Sequence, residues 1–149
     1  MDYKMWVLSG HYQGTRNFTF ESLEGARARR LAWRNRIAEC YQKDVVSDGS
    51  FDRLLEAVEN NLNSAEAFAV IDGAVLSLED WQKVDELFGL KLIDDTPDID
   101  DATRKMITER QKAREERDFV RADELRDKLA EKGITVRDTA DGGVWEYLK

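Results

Sequence analysis

Apolar side chains recur along much of the chain at steps of three and four residues, the spacing that places them on one face of an α-helix. The longest stretch of this kind has a predicted core face made of Leu23, Ala26, Trp33, Ile37 and Cys40. Thr19 or Ser22 can cap it, because a short hydroxyl side chain accepts from the free N–H groups of a first helical turn. The pattern therefore predicts one long helix that begins near residue 20.

Four shorter segments have the same helical character. They cover residues 3–12, 51–62, 64–75 and 78–89. Asn63 and Ser77 are each followed three residues later by an acidic residue, which is typical of a helix start, and Gly89 is typical of a helix end. The chain has a single proline, which also favours helices. Residues 1–93 are therefore predicted to form an antiparallel helical bundle.

The stretch 94–101, "DDTPDIDD", holds five aspartates and the only proline, and it predicts an acidic linker. Two helices follow, over about 101–116 and 119–132, and Gly133 suits the left-handed position after a helix. "ITVRD" and "VWEYL" flank the turn sequence "ADGG" and predict a β-hairpin. The predicted fold class is mainly α, a helical bundle followed by a small α+β unit of two helices and a hairpin over residues 102–149.

The formal net charge of −8 is distributed unevenly along the 149 residues. Residues 44–101 hold 16 acidic and three basic side chains, so the other residues hold 20 basic and 15 acidic ones, a balance of +5. An acidic protein is in general a poor candidate for binding nucleic acid, but here both ends are basic. Nucleic-acid binding therefore stays open for the two ends of the chain.

Several classes of protein and site are disfavoured by the sequence. No apolar run approaches the roughly 18 residues of a membrane helix, and the N-terminus lacks the basic and apolar regions of a signal peptide. Cys40 and His11 are the only residues of their types, which argues against a disulfide, a zinc cluster and a Ser-His-Asp site. The carboxylates of 94–101 lack the spacing of a calcium loop. These features indicate a protein of the reducing cytoplasm without such sites.

Three stretches of the chain carry a family resemblance. "LSGHYQGTRNFTFESLEGAR" is similar to the pattern "LSxHYRxPLNFSxExLExAR", and "VENNLNSAEAFAVI" is similar to "DDDLNTPEALAVL". The ending from Ile107 resembles "ARxxKDFAxADxIRDxLxxxGIxLEDTxxGTxWR". In this order the three patterns are those of the C-terminal half of cysteinyl-tRNA synthetase, a class I aminoacyl-tRNA synthetase. The chain therefore resembles the tRNA-binding, anticodon-binding region of that enzyme over nearly its whole length.

The resemblance implies a set of RNA-binding residues near the C-terminus. Arg114, Phe119, Asp123 and Asp138 match positions that contact anticodon bases, and Trp145 is a secondary candidate. An aromatic ring can stack on an unpaired base, arginine can donate to a guanine edge, and carboxylates can accept from base amino groups. From the residue pattern alone, these side chains would be interpreted as helix core, solvated charges and hairpin core.

A basic run on the long helix has two interpretations. Arg27, Arg30 and Arg34 form one stripe, with Arg29 and Arg36 close to it. Such a run is usually a solvated face, but a helix that contacts RNA phosphates has the same pattern. The resemblance implies that the bundle lies along the tRNA stem, so the three arginines of the stripe are candidate contacts to the RNA backbone.

The chain also departs from the family pattern. It has neither the HIGH-type and KMSKS-type motifs that bind ATP nor the ligands of the catalytic zinc. ATP and zinc are therefore expected in a parent enzyme, and no cofactor is expected in this chain. Gln13, Thr15 and Glu146 stand where the family has Arg, Pro and Arg. These three changes affect the expected contacts with the tRNA backbone and stem.

The sequence thus predicts a tRNA-binding fragment of a cysteine–tRNA ligase that docks tRNA(Cys) and reads its anticodon, while a separate catalytic half uses ATP for aminoacylation. The expected partner is tRNA(Cys), and neither DNA nor a membrane. Two alternatives remain. "AREERDFVRADELRDKL" also resembles a helical hairpin that links excision-repair nuclease subunits, which would make the chain a freestanding protein-interaction module. The chain could also be a paralogue that binds tRNA without aminoacylation.

Overall fold

The computed structural model describes residues 1–15, 17–139 and 142–148, which form seven helices and one antiparallel two-stranded sheet. The elements are α1 (Asp2–Leu8), α2 (Phe20–Cys40), α3 (Ser50–Glu59), α4 (Ser64–Gly73), α5 (Leu78–Phe88), α6 (Asp101–Glu115), α7 (Phe119–Glu131), β1 (Ile134–Thr139) and β2 (Gly142–Tyr147). In these described parts no helix is both long and apolar enough to cross a bilayer. The predicted fold class, mainly α with a small α+β unit at the C-terminal end, is confirmed.

The starts of three helices follow from local side-chain chemistry. At α2 the Thr19 hydroxyl accepts from the Ser22 N–H at 3.0 Å, and the Ser22 hydroxyl accepts from the Thr19 N–H at 3.2 Å. This reciprocal pair satisfies two backbone donors that a first helical turn leaves free. Ser77 and Asp80 form the same arrangement at α5, and Asn63 caps α4. The predicted caps are confirmed at all three helices.

Two helices are shorter than the apolar pattern predicts. The first ends at Leu8, well before residue 12. The third ends at Glu59 although the pattern continues to residue 62, because Asn61 and Leu62 have φ angles of 57° and 53°. A residue in the left-handed region cannot continue a right-handed helix.

The chain divides into two compact units, Met1–Thr96 and Pro97–Lys149. The first unit has a large core whose biggest fully buried side chains are Trp33, Trp81, Phe68, Met5, Ile37, Leu54 and Ile71. The Trp33 ring lies 4.9 Å from that of Phe68 and 5.9 Å from that of Trp81, measured between centroids. The Trp33 indole N–H donates to Asp72 Oδ1 at 2.7 Å, so the polar atom of this buried ring is satisfied.

The sequence predicts the stretch 94–101 as a linker. Its first residues belong to the first unit and its last residues to the second, and both ends make defined contacts there. Thr96 is fully buried in the first unit. In the second unit Asp100 caps α6 by accepting from the Thr103 N–H at 2.6 Å, and the hydrogen bond from the Thr103 side chain is the main cause that lowers the pKa of Asp100. The division into 1–93, 94–101 and 102–149 stays a prediction, while the two compact units are separated in sequence between Thr96 and Pro97.

The second unit consists of α6, α7 and the hairpin around a smaller core. Its buried apolar side chains are Ala113, Ala122, Leu125, Leu129, Ile134 and Trp145. Gly133 has a φ of 75°, as the sequence predicts, and turns the chain from α7 into β1. In the hairpin Ile134 pairs with Tyr147 and Asp138 pairs with Gly143. Ala140 and Asp141 of the predicted "ADGG" turn lie outside the described residues.

Candidate nucleic-acid interface

The joint between α6 and α7 is a three-residue turn, Glu116 to Asp118. Arg117 adopts a left-handed conformation with a φ of 61°, and its N–H donates to the carbonyl of Arg114 at 3.1 Å. The next N–H, of Asp118, donates to the carbonyl of Ala113 at 2.8 Å. The Asp118 side chain then accepts from the Arg121 N–H at 3.1 Å and caps α7. The helix ends are therefore tied together by short local bonds.

An exposed apolar pair stands directly after this turn. Phe119, the first residue of α7, is 64% exposed, and the side chain of Val120 is also exposed. Ala122, Leu125 and Leu129 follow Phe119 at helical spacing, and these three are buried. Phe119 is not part of that core, because it is the first residue of α7 and lies nearly a full turn before Ala122. An exposed phenyl ring is available for stacking on a base.

The hairpin is attached to the last turns of α6. The Gly143 N–H donates to Gln111 Oε1 at 3.2 Å, and Gly143 is the partner of Asp138 across the sheet. A side chain at position 143 would lie 2.9 Å from Val136 Cγ1 and 3.4 Å from Gln111 Oε1, so this close approach requires glycine. Arg114 follows Gln111 by three residues and is exposed. The fold thus places the Asp138 backbone near the turn of α6 that carries Arg114. The Asp138 side chain lies outside the part of the chain that the structure describes.

Asp123 lies one helical turn after Phe119 and is exposed. Its carboxylate pairs with Arg126, three positions later, at 2.9 Å. Arg126 also contacts Asp127 at 3.2 Å. Because exposed ion pairs on a helix contribute little stability, Asp123 can exchange this partner for a base amino group at little cost.

Trp145, the secondary candidate for RNA binding, is buried in the second unit. The side chain is only 3% exposed, and its ring packs edge-on against Tyr147 at 5.5 Å between centroids. A base cannot stack on a ring whose faces are covered by protein. We assign Trp145 to the core of the second unit, which is the interpretation that the residue pattern alone favoured.

All three candidate arginines of α2 have partners within the first unit, and Arg30 and Arg34 are the less exposed two. Arg30 pairs with the carboxylates of Asp2 and Asp95, and only 14% of its side chain is exposed. Arg34 donates to Thr96 Oγ1 at 3.1 Å and to the carbonyl of Asp95. These arginines hold residues 95 and 96 against α2, and their contact with the RNA backbone stays a prediction.

Arg27, the third of these arginines, keeps about half of its side chain exposed. It donates to Asp2 at 3.1 Å and to Glu24 at 2.8 Å, and the hydrogen bond to Asp2 raises its pKa. Two carboxylates thus already bind the guanidinium through different nitrogens. The contact of Arg27 with RNA stays a prediction.

Comparison with known proteins relates both units to one family. Residues 96–145 match the family described as "Cysteinyl-tRNA ligase anticodon binding domain". Almost the whole chain matches cysteine–tRNA ligases: 28% identity over 96% of this chain in Finegoldia magna, 27% over 97% in Campylobacter jejuni and 29% over 96% in Shouchella clausii. The resemblance to the C-terminal region of cysteinyl-tRNA synthetase is confirmed.

The chain spans only part of these ligases. It covers 37% of the Finegoldia magna protein, 39% of the Campylobacter jejuni protein and 38% of the Shouchella clausii protein. The family match from 96 to 145 begins one residue before the second compact unit and reaches β2. The match to the anticodon-binding family thus includes α6, α7, the turn between them, β1 and most of β2.

One departure from the ligase pattern has a structural explanation. Glu146, which replaces an arginine of the family pattern, accepts from Arg137 Nε at 3.0 Å across the hairpin. The neighbouring cation largely compensates the negative charge, so the substitution does not add an isolated carboxylate to this surface.

Arg117 is a candidate that the sequence did not identify. Its side chain is exposed, and within the described residues no carboxylate or hydrogen-bond acceptor contacts its guanidinium. Its left-handed backbone places it beside Phe119 at the joint. The only signal in the sequence was a basic residue directly before a helix cap, which by itself does not distinguish a binding residue from a solvated charge.

Proposed function

We propose that this chain is a tRNA-binding part of a cysteine–tRNA ligase, which docks tRNA(Cys) and reads its anticodon at the joint between α6 and α7. The observation that carries the proposal is that the region matching an anticodon-binding domain presents the exposed Phe119 ring at this joint. Stacking on such a ring recognises an unpaired base, and neighbouring polar groups can then select its edge.

The polar groups around Phe119 fit an RNA ligand. Arg114 and Arg117 lie just before it, on the last turn of α6 and in the joint, and both are exposed. Asp123 lies one turn after Phe119, and its exposed ion pair with Arg126 contributes little to stability. The Asp123 carboxylate can therefore accept from a base amino group. Asp138 completes the proposed set, because its strand is attached near Arg114 through Gly143 and Gln111.

The ligase chemistry is proposed for the part of the relatives that this chain does not match. Among the described residues no group of three or more histidine, cysteine, aspartate or glutamate side chains could hold a metal ion. Cys40 is half-buried, and burial is the main cause that raises the pKa of its thiol, which disfavours the thiolate that zinc requires. The residues present therefore do not fit the zinc site of a ligase. ATP and zinc would act in the remainder of the enzyme, in the cytoplasm.

An equilibrium titration tests the function. The chain is titrated with a tRNA(Cys) transcript and with the same transcript carrying a changed anticodon, at one fixed salt concentration. Tighter binding of the unchanged transcript is expected. Equal affinity for the two would remove anticodon reading, and absence of binding to either would remove tRNA binding altogether.

Two matched pairs of variants locate the contact. Phe119→Ala should weaken tRNA(Cys) binding by about 5- to 140-fold, equivalent to about 1–3 kcal/mol, whereas Val120→Ala at the next exposed position should not. Asp123→Ala should reduce the discrimination between the two transcripts, whereas Asp127→Ala should leave it unchanged although both carboxylates contact Arg126. If the members of each pair behave alike, the contact does not lie at this joint.

A further inference from the structure

A contiguous set of aromatic rings lies at the N-terminal end of the first unit, away from any residue of the proposed RNA site in sequence. Tyr3 stacks on Trp6 at 5.7 Å between centroids, Trp6 meets Phe18 edge-on at 5.2 Å, and Phe18 meets Phe20 at 5.9 Å. Residues of α1, of the connection that follows it and of the first position of α2 thus form one continuous aromatic surface.

Most of this surface is open to solvent. Phe20 is 81% exposed, Tyr3 63% and Phe18 49%, and Val7 beside them is also exposed, whereas Trp6 is buried beneath them. We name Tyr3, Val7, Phe18 and Phe20 the N-terminal aromatic patch. Single exposed apolar residues are normal, but a contiguous aromatic patch marks a surface that binds another molecule. Aromatic residues are also the type most enriched at the energetic centres of protein interfaces.

The charges near the patch favour a protein over a nucleic acid as its partner. Asp2, Glu21 and Glu24 lie on the same two helix starts, and Arg27 is bound by two of these carboxylates. The positive charge of Arg27 is thus compensated, and carboxylates repel RNA phosphates. An apolar centre with a polar, ion-paired margin is the usual composition of a protein–protein interface.

The lengths of the relatives indicate which protein surface covers the patch. The chain matches only 37% to 39% of each cysteine–tRNA ligase, so more than half of such a ligase lies outside the match. Because the match is to the C-terminal region, the remaining part of a ligase adjoins the N-terminal side of this chain, where α1 carries the patch. We propose that the N-terminal aromatic patch is the surface against which the remaining, non-matching part of a cysteine–tRNA ligase packs. This inference rests on the ligase relationship within the proposed function and is independent of the RNA contact at Phe119.

A chimeric ligase tests the inference with the whole chain. In the Finegoldia magna ligase the matching region is replaced by this chain, and hydroxyl-radical footprinting is applied to the chimera and to the isolated chain. Mass spectrometry of peptides reads the modification rate at each aromatic residue. In the isolated chain Tyr3, Phe18 and Phe20 should react fast. In the chimera their rates should fall towards that of the buried Trp33, while the rate at Phe119 stays high.

Every other outcome overturns the inference. Equal rates at Phe20 in the chimera and the isolated chain would mean that the ligase does not cover the patch. Slow modification that depends on the concentration of the isolated chain would assign the patch to a second copy of this chain. The Campylobacter jejuni and Shouchella clausii ligases serve as further hosts, and failure of all three chimeras to unfold cooperatively would mean that the surfaces do not fit.

The same measurement separates this inference from the RNA-binding proposal. Addition of tRNA(Cys) to the isolated chain should protect Phe119 and leave Phe20 reactive. Protection of Phe20 in the chimera without protection of Phe119 by tRNA would overturn the RNA site alone. Protection of Phe119 by tRNA without protection of Phe20 in the chimera would overturn the packing surface alone.

Discussion

The two units use arginine in different ways. In the first unit the arginines of α2 turn towards the protein: Arg30 and Arg34 hold residues 95 and 96, and Arg36 donates to the carbonyls of Ile71 and Ala74. In the second unit Arg114 and Arg117 are exposed at a helix joint. Aromatic residues do not follow this division, since each unit has a buried ring, Trp33 or Trp145, and an exposed one, Phe20 or Phe119.

This difference follows from what each unit has to stabilise. The first unit has connections without regular structure, such as residues 74–76 and 89–96, whose carbonyls need donors that the helices do not supply. Arginine supplies several donors in one planar group and is suited to this task. The second unit satisfies its backbone by helix caps, a tight turn and a hairpin, so the exposed Arg117 in its turn is available for a ligand. A basic residue therefore indicates binding only where the backbone around it is already satisfied.

The largest effect is expected in the core of the first unit. Trp33→Ala should lower the free energy of unfolding by about 3–5 kcal/mol, because it leaves a cavity between Phe68 and Trp81. Chemical denaturation followed by circular dichroism measures the loss. Trp33→Phe, which keeps a ring but loses the bond to Asp72, should cost less. If Trp33→Ala lowers the free energy of unfolding no more than a typical surface substitution does, this ring does not organise the core.

A smaller loss of stability is expected for the inward-facing arginine. Arg36→Ala should destabilise by about 1–3 kcal/mol, because it removes the guanidinium donor to the Ala74 carbonyl and leaves the Ile71 carbonyl only the Ala74 N–H. Arg36 also lies 5.0 Å from the centroid of the Trp81 ring, and burial is the main cause that lowers its pKa. Arg117→Ala in the second unit is the control and should leave stability unchanged. Equal losses for the two would contradict the contrast between the units.

Arg117 should affect RNA binding and its salt dependence. If its guanidinium contacts one phosphate, Arg117→Ala should weaken tRNA binding and reduce the slope of log affinity against log salt by about 0.7. Arg117→Gly should weaken binding equally but keep or raise stability, because glycine adopts a positive φ without steric cost. Lys128→Ala, near the far end of α7, is the matched control. An unchanged slope in both Arg117 variants would remove this residue from the proposed site.

The smallest effect is a pH dependence that comes from Asp48 in the first unit. The hydrogen bond from the Ser50 side chain, followed by the backbone N–H groups of Val75 and Ser50, lowers the pKa of Asp48 from 3.8 to about 2. A carboxylate whose pKa is lowered by folding stabilises the protein above its unfolded pKa, and this contribution is lost as the pH falls from 3.8 to about 2. Thermal unfolding over this pH interval should therefore be less pH-dependent in Asp48→Asn than in the parent chain. An unchanged pH dependence would remove Asp48 as a contributor.

The sequence by itself determined the helices, their caps and the hairpin. Thr19, Ser77 and Gly133 act within a few residues of their own position, so short-range pattern and side-chain chemistry were enough to identify them. The same local signals, together with three motifs in order, were sufficient to recognise the relationship to cysteinyl-tRNA synthetase. The positions of Arg114 and Phe119 on either side of a helix joint also followed from the predicted elements.

Only the tertiary structure decided which of these side chains are available. Phe119 and Trp145 are both aromatic residues on predicted core faces, but the first is exposed and the second is buried. Arg30 and Arg34 are occupied by residues more than 60 positions away in the chain, which no local pattern indicates. Burial and pairing depend on which distant segments meet. A periodic pattern identifies the face that a residue occupies, and the packing of the other elements decides whether that face is covered.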